Sequence, residues 1–213
     1  MHRNYLSNLL HNYSPSDANE VVAKQRMLDF MLNNPDCFER TLSQGHFTAS
    51  CWLVNKTMDL ALLTHHAKLN IWLQLGGHCD GDSDIVAVAL KEAQEESGLL
   101  NIKLVSEQIF DLDVHAIPAN KREAEHLHYD VRFLMRVQDE APLIISPESK
   151  DLRWFGKDVK ALPTTELSIL RMFNKWLSTT LSLPDPHIKE DDRETQIIGS
   201  KLNNYFDVRV TKL

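Results

Sequence analysis

The sequence predicts a sandwich of mixed strands and helices, and two observations carry that expectation. The hydrophobic period changes from helical to alternating at about His46, and the strands and helices that follow do not alternate regularly. Such an order points to an α/β or α+β sandwich rather than a doubly wound sheet. The 213 residues, 43% hydrophobic and 25% charged, are ordinary globular composition. They suffice to bury a real core in one enlarged domain, or in one domain with terminal additions.

Residues 1–45 read as a helical extension packed on the main domain. Ser14-Pro15 is a start signal, with Ser as N-cap and Pro at the first helical position. Val21, Val22, Met27, Leu28, Met31 and Leu32 then recur at helical spacing until Asn33-Asn34-Pro35 stops the pattern. Residues 47–54 and 58–64, parted by the polar Asn55-Lys56-Thr57, predict a β-hairpin. Residues 71–75 predict a further strand that Gly76-Gly77 breaks, and His65-His66 read as a turn. A loop through Ser83 then feeds a helix over 84–97, with Gly98 as its C-cap. Strand-like runs follow at 103–113, 128–137 and 152–156, then a helix over 165–181 with Leu167, Leu170, Phe173, Trp176 and Leu177 on one face. The main domain is thus expected over 46–182. Beyond it, Pro184-Asp185-Pro186 and Glu190-Asp191-Asp192 mark a polar linker, and the 183–213 tail offers a strand at 205–210.

The formal net charge of -7 gives no broad electrostatic reason to bind nucleic acid or an anionic membrane. A polyphosphate substrate would need locally placed cations, and bound metal ions are the natural ones. Cys37, Cys51 and Cys79 are sparse, odd in number and lack a CxxC pair, so neither a disulfide framework nor a zinc ribbon is expected. The first residues lead into a polar stretch with no apolar signal region, and no run approaches the ~20 apolar residues that span a bilayer. The cytoplasm is the expected compartment.

Chemistry concentrates in Gly76-Gly77-His78-Cys79-Asp80-Gly81-Asp82-Ser83-Asp84 and the helix after it, through Lys91-Glu92-Ala93-Gln94-Glu95-Glu96-Ser97-Gly98-Leu99. Glu92, Glu95 and Glu96 stand at i, i+3 and i+4, so their carboxylates share one helix face. Val86, Ala89, Leu90 and Ala93 form the opposite, packing stripe. Acidic residues often merely coat a solvated face. Three so close together repel one another, and a hard divalent cation such as Mg²⁺ resolves the repulsion through oxygen ligands.

The whole segment resembles the Nudix box, the signature of the Nudix hydrolase superfamily. That signature is a Gly, five residues, a Glu, seven residues, then Arg-Glu-apolar-x-Glu-Glu-x-Gly-apolar. Gly77, Glu92, Ala93, Glu95, Glu96, Gly98 and Leu99 fall in register, seven fixed positions over 23 residues. The stretch Glu148-Ser149-Lys150-Asp151-Leu152-Arg153-Trp154-Phe155 looks like a strand that often follows in these proteins, so the likeness spans about 46–180. Two positions depart from the pattern. Ser83 stands where the first Glu is usual, with Asp80, Asp82 and Asp84 close by to compensate. Lys91 stands where Arg is usual, which keeps the charge but loses the planar fork.

The resemblance implies an α/β/α sandwich around a mixed sheet, and a substrate in which a nucleoside diphosphate is linked to another group. It implies hydrolysis by water attack at phosphorus, with Mg²⁺ as the metal and Mn²⁺ as a substitute. By the same likeness Glu92, Glu95, Glu96 and the Gly77 carbonyl would hold the metal, and Glu96 or Glu95 would take the water's proton. The partner is a small-molecule diphosphate or nucleotide, with neither nucleic acid nor membrane expected. Relatives are often homodimers, and the assembly stays open here. The departures motivate an alternative, a nucleotide-binding or regulatory module with little activity. An isomerase of allylic diphosphates would need Cys and Glu motifs that are not found.

Ten histidines is many for this length. His78 sits in the box loop. Asp111, Asp113 and His115 alternate along one predicted strand, and His126, His128 and Asp130 along another, so each set shares a face. Such faces beside the box could line a pocket, which makes His78, Asp113, His115 and His128 candidate substrate contacts. Lys121 and Arg122, in a predicted loop, are the local cations for a terminal phosphate. Ordinary polar alternation at the surface is the plainer reading. His and Asp can also ligate zinc or iron, although this spacing matches no familiar zinc motif. Cys79 lacks an identifiable base partner and reads as a small loop residue. Trp52, Trp72, Trp154 and Trp176 read as core or edge residues.

Overall fold

A computed structural model of the chain describes residues 3–119 and 124–182. The expected strand at 205–210, and Lys121 and Arg122, lie outside the described residues. The chain divides into two compact units, Met1–Lys175 and Trp176–Leu213, and of the second only the end of a helix is described.

Two helices open the first unit, α1 (Asn4–Asn12) and α2 (Ala18–Asn33). α2 starts later than Ser14-Pro15 predicts. The Asp17 carboxylate accepts from the Glu20 N–H at 2.9 Å and is the N-cap, while Glu20 reaches back to the Ser16 N–H at 3.0 Å. The buried stripe is also displaced. Ala23, Met27, Phe30 and Met31 are inside, but Val21, Val22 and Leu32 are exposed.

Strand β1 (Gly45–Val54) turns into β2 (Ala61–His66) as a hairpin, in register Leu53↔Leu62. The second strand begins at Ala61, not at Met58, because the Asn55 side chain accepts from the N–H groups of Asp59 and Leu60, both at 3.0 Å. Met58 sits in the left-handed region inside that turn. His65 and His66 end β2 and do not form the turn themselves. Short β3 (Trp72–Leu73) pairs with β2, and β4 (Leu75–His78) pairs with β1. Gly76-Gly77 therefore does not break the strand: both glycines lie in β4, opposite Ser50 and Ala49. Helix α3 (Ile85–Ser97) is capped by Asp84, whose side chain accepts from the Ala87 N–H, and ends at Gly98 in the left-handed conformation.

The single predicted strand at 103–113 is two, β5 (Ile102–Leu104) and β6 (Asp111–Ile117). Both pair with β7 (His126–Val137), but with different halves of it, so the chain must cross between them in a loop. β8 (Ser149–Phe155) pairs with β2, and helix α4 (Leu167–Ser182) closes the described chain.

The strands form one mixed sheet in the order β3-β2-β1-β7-β5, with β4 on β1, β6 on β7 and β8 on β2. Among the described strands only β1 and β7 run parallel, from Gly45↔Leu127 to Val54↔Arg136. β1 meets β4 over its first half and β2 at its end, while β7 meets β6 and then β5 in the same way. The central pair therefore forks on both sides. This is the α/β/α sandwich on a mixed sheet that the box implies.

One face is apolar. Phe47, Ala49, Cys51 and Leu53 of β1 align with Tyr129, Val131, Phe133 and Met135 of β7, and all are in the core beside Ile85, Ala89 and Ala93 of α3. Phe30 of α2 stacks on Tyr129, ring centres 4.0 Å apart at 9°. All three cysteines are free and buried. Among the described residues no helix is long and apolar enough to cross a membrane.

Candidate active site

The other sheet face is polar over the first half of the β1–β7 pair. The register across β4, β1, β7 and β6 sets out three rows. His46, His128 and His115 make one. His78, Thr48, Asp130 and Asp113 make the next, and Gly76, Ser50, Arg132 and Asp111 the third. A cavity of about 540 Å³ opens over these rows, lined by Thr48, Ser50, Gly76, Gly77, His78, His115, His128 and Asp130. Glu92, Glu95 and Glu96 of α3 line the same cavity, together with Arg40, His66, Asp80 and Glu148.

The acidic face of α3 is close to β4. Glu96 is buried, and its Oε2 accepts from the Gly76 N–H at 3.0 Å. A Cβ on residue 77 would lie 2.5 Å from Glu92 Oε2, so glycine is needed for the carboxylate to come this near the backbone. Lys91 is exposed and pairs with Glu92 at 3.4 Å and Glu95 at 3.3 Å. Burial pushes the Glu96 carboxyl up to about 7 against the Gly76 N–H, and the charges of Glu92 and Glu148 push the same way. Burial also raises Glu92, Lys91 offsets part of the shift, and Glu95 and Glu148 add to it. The donors are hard oxygens, crowded, partly desolvated and short of internal positive charge. That set fits a hard divalent cation, which would lower both carboxyls again.

The deeper rows are organised differently. Arg132 is 2% exposed and bonds Asp130 at 2.7 Å, Asp111 at 3.1 Å and Asp113 at 3.3 Å. Arg171 of α4 grips both oxygens of Asp111, at 2.7 and 2.9 Å. Lys175 meets Asp111 at 2.9 Å, and also Glu20 of α2, to which Tyr13 donates as well. Asp130 further accepts from Thr48, Ser50 and Gln74. Burial opposes ionisation of Asp113, but the bond from His115 and the Arg132 charge outweigh it and hold the carboxyl well below the ordinary range.

The expected site residues thus divide. Glu92, Glu95, Glu96, Gly77, His78, His115 and His128 come together around one cavity. Asp113 is not among the lining residues. Its oxygens meet Arg132, Arg171 and His115, so this carboxylate orients His115. Cys79 is buried, and burial raises its thiol well above the ordinary value, which suits a packing residue. His128 is pushed down to about 2 by burial and by the charges of its neighbouring histidines, so it is neutral. Spacing did not point to His46, Arg40, His66 or Glu148. His46 could have been found by noting that it alternates with Thr48 and Ser50 in β1. Arg40 and Glu148 lie in connections whose approach to the site no local pattern encodes.

The chain matches the NUDIX domain family over residues 45–176. It belongs to the Nudix family, whose members hydrolyse diphosphate linkages and generally use a divalent metal, and it is a hydrolase acting on phosphoric anhydrides. No curated protein sequence matches it closely. Among solved structures it is similar to an Ap4A hydrolase from C. elegans, at TM-score 0.53 and 14% identity, over 64% of this chain and 98% of that one. It is also similar to the dihydroneopterin triphosphate pyrophosphohydrolase of E. coli, at TM-score 0.50 and 12% identity, over 62% and 95%. At these identities the likeness is one of fold.

Proposed function

We propose that the protein is a Mg²⁺-dependent pyrophosphohydrolase of a nucleoside diphosphate linked to another group, working by water attack at phosphorus. One observation carries this reading: Glu92, Glu95, Glu96 and Glu148 converge on one cavity, and half-buried Glu92 and buried Glu96 are destabilised as anions. Glu92, Glu95, Glu96 and the Gly77 carbonyl would hold the ion, with Mn²⁺ as a substitute. When bound, Mg²⁺ would neutralise the diphosphate oxygens and make the attacking water more acidic.

The protein's own groups do the rest. Glu96, or the more exposed Glu95, takes the water's proton, the Gly76 N–H fixing the direction of the Glu96 carboxylate. His78, His115 and His128 face the substrate, His115 being held in place by Asp113 at 2.9 Å. Arg40 supplies a cavity-side cation to the phosphates, and Lys121 and Arg122 are kept from the sequence as further candidates for that role. The catalytic domain is residues 46–182, with 1–45 as a helical extension and 183–213 as a tail. Free, buried cysteines suit the cytoplasm.

The test is a turnover screen with Mg²⁺ over nucleoside triphosphates, nucleotide sugars, dinucleotides and coenzyme A, with Glu96→Gln as control. A phosphate-containing product that the variant no longer releases confirms the reading. Silence across the panel, with Mg²⁺ still bound, hands the site to a nucleotide-binding or regulatory role.

A further inference from the structure

Three histidines from three strands meet on the polar face, two of them lining the same cavity as the acidic helix. His46 comes from β1, His78 from β4 and His128 from β7, and one ligand nitrogen of each lies within 4.8 Å of the others. Their ring centres are 4.9–5.1 Å apart. His128 Nε2 is buried and has no hydrogen-bond partner. A desolvated ring nitrogen with no partner is costly unless something fills the place.

We infer that His46, His78 and His128 form a second cation site, for a borderline-soft divalent ion of the Zn²⁺ class. Neutral imidazole is the commonest protein ligand for such ions, whereas Mg²⁺ prefers the oxygens of α3. Zn–N bonds of about 2.0–2.1 Å in a tetrahedral site put ligand nitrogens roughly 3.4 Å apart. The triad therefore closes by no more than a side-chain adjustment. His46 is 2% exposed, while His78 and His128 line the cavity, so the open coordination position is on the cavity side. Three histidines and one open position make a site able to take an anionic group of a ligand.

Two further histidines flank the triad. His126 stands 5.0 Å from His46 and 5.2 Å from His128, its own Nδ1 donating to the Ala124 carbonyl at 2.8 Å. His115 flanks His128 at 5.5 Å and is fixed by Asp113. Arg40 contacts His78 Nδ1 and also pairs with Asp80 at 3.0 Å. The site does not depend on the hydrolytic reading, because an inactive chain would bind the ion equally.

The experiment is a titration of chelator-treated, full-length protein with Co²⁺ in excess Mg²⁺, read by visible absorption and by displacement with Zn²⁺. One equivalent of Co²⁺ per chain is expected, with the intense spectrum of a low-coordinate nitrogen site. His78→Ala and His128→Gln should each weaken binding by more than about 100-fold, beyond the loss usual for an outer-shell partner. Glu96→Gln should leave it unchanged. His78 is only partly buried, so its alanine variant is the safer of the two for folding. Absence of the spectrum overturns the inference. So does a spectrum that survives both histidine variants, or one lost in Glu96→Gln alone, which would place the ion on α3.

Discussion

Two charge clusters of this fold, one buried and one half-buried, solve the same problem in opposite ways. Under β6 and β7, the carboxylates of Asp111, Asp113, Asp130 and Glu20 are matched by Arg132, Arg171 and Lys175, and the shifts resolved there hold Glu20 and Asp113 down as anions. On α3, Glu92 and Glu95 share one exposed lysine, Glu96 meets the Gly76 N–H, and Glu92 and Glu96 are both pushed up. The first cluster is complete within the chain and ties the N-terminal helices to the sheet. The second lacks a counter-charge, which is the condition for recruiting one from solution.

The largest effect should come from breaking the complete cluster. Arg132→Met leaves three carboxylates desolvated with their shared cation removed, and loss of one partner from a buried ion network costs about 3–5 kcal/mol. Chemical denaturation should show that loss in the midpoint. A change under about 1 kcal/mol would mean that the cluster is well hydrated and does not organise the fold.

The incomplete cluster should fail in function and not in stability. Glu96→Gln removes a carboxylate that the fold holds at a cost, so the metal-free variant should be as stable as the parent or more so. Its turnover should fall roughly 10²–10³-fold, the usual loss when one preorganised electrostatic group is removed from a site. A variant equally active at saturating Mg²⁺ would take Glu96 out of the chemistry.

Acid and base should separate the two clusters further. Burial resists the Glu20 charge, but Lys175, Tyr13 and Ser16 outweigh that and bring the carboxyl from 4.5 down to about 2. Its contribution is present above pH 4.5 and is lost as pH falls toward 2, on the order of 3 kcal/mol. Glu96 has the reverse sign. Raised from 4.5 to about 7, it favours the fold below 4.5, and that contribution is lost as pH rises through 7. Melting temperatures across pH, with chelator and with Mg²⁺, should show a decline between pH 4.5 and about 7 that Mg²⁺ abolishes. An acid decline abolished in Glu20→Gln would assign the other limb. A flat profile between pH 4.5 and about 7 without metal would refute the claim that α3 lacks its counter-charge.

These clusters were unequally legible in the sequence. The acidic helix was readable because its spacing is local: Glu92, Glu95 and Glu96 share a face on any α-helix, and Gly98 ends it. The sheet faces were half readable. Alternation placed His115 and Asp113 together, and His128 and Asp130, but only the pairing of β6 with β7 sets them side by side. The Arg132 network was hidden, since Glu20, Asp111, Arg132, Arg171 and Lys175 are distant in sequence and meet only once the sheet and helices are assembled. The same reasoning explains the displaced stripe of α2. Val21 and Val22 fit a helical period, but Glu20 is drawn inside by Lys175 and turns the helix so that those valines face out.

The smallest effect concerns the cation that pairs with the incomplete cluster among the described residues. Lys91 replaces the usual Arg of the box, and it is 61% exposed at 3.3–3.4 Å from Glu92 and Glu95. Exposed pairs of this kind contribute about 0–1 kcal/mol, so Lys91→Met should shift stability by no more than that. Its effect on metal affinity should be opposite in sign to a structural loss. Lys91 competes with an incoming cation for the same oxygens, and its removal should tighten Mg²⁺ binding slightly, by a factor of a few. Lys91→Arg, with a fork that can hold two oxygens at once, should orient the pair better and leave affinity near the parent value. Calorimetric titration of the three proteins with Mg²⁺ orders them directly. Weaker binding in Lys91→Met would show that the lysine positions the carboxylates for the ion, and that its role as a rival counter-charge is minor.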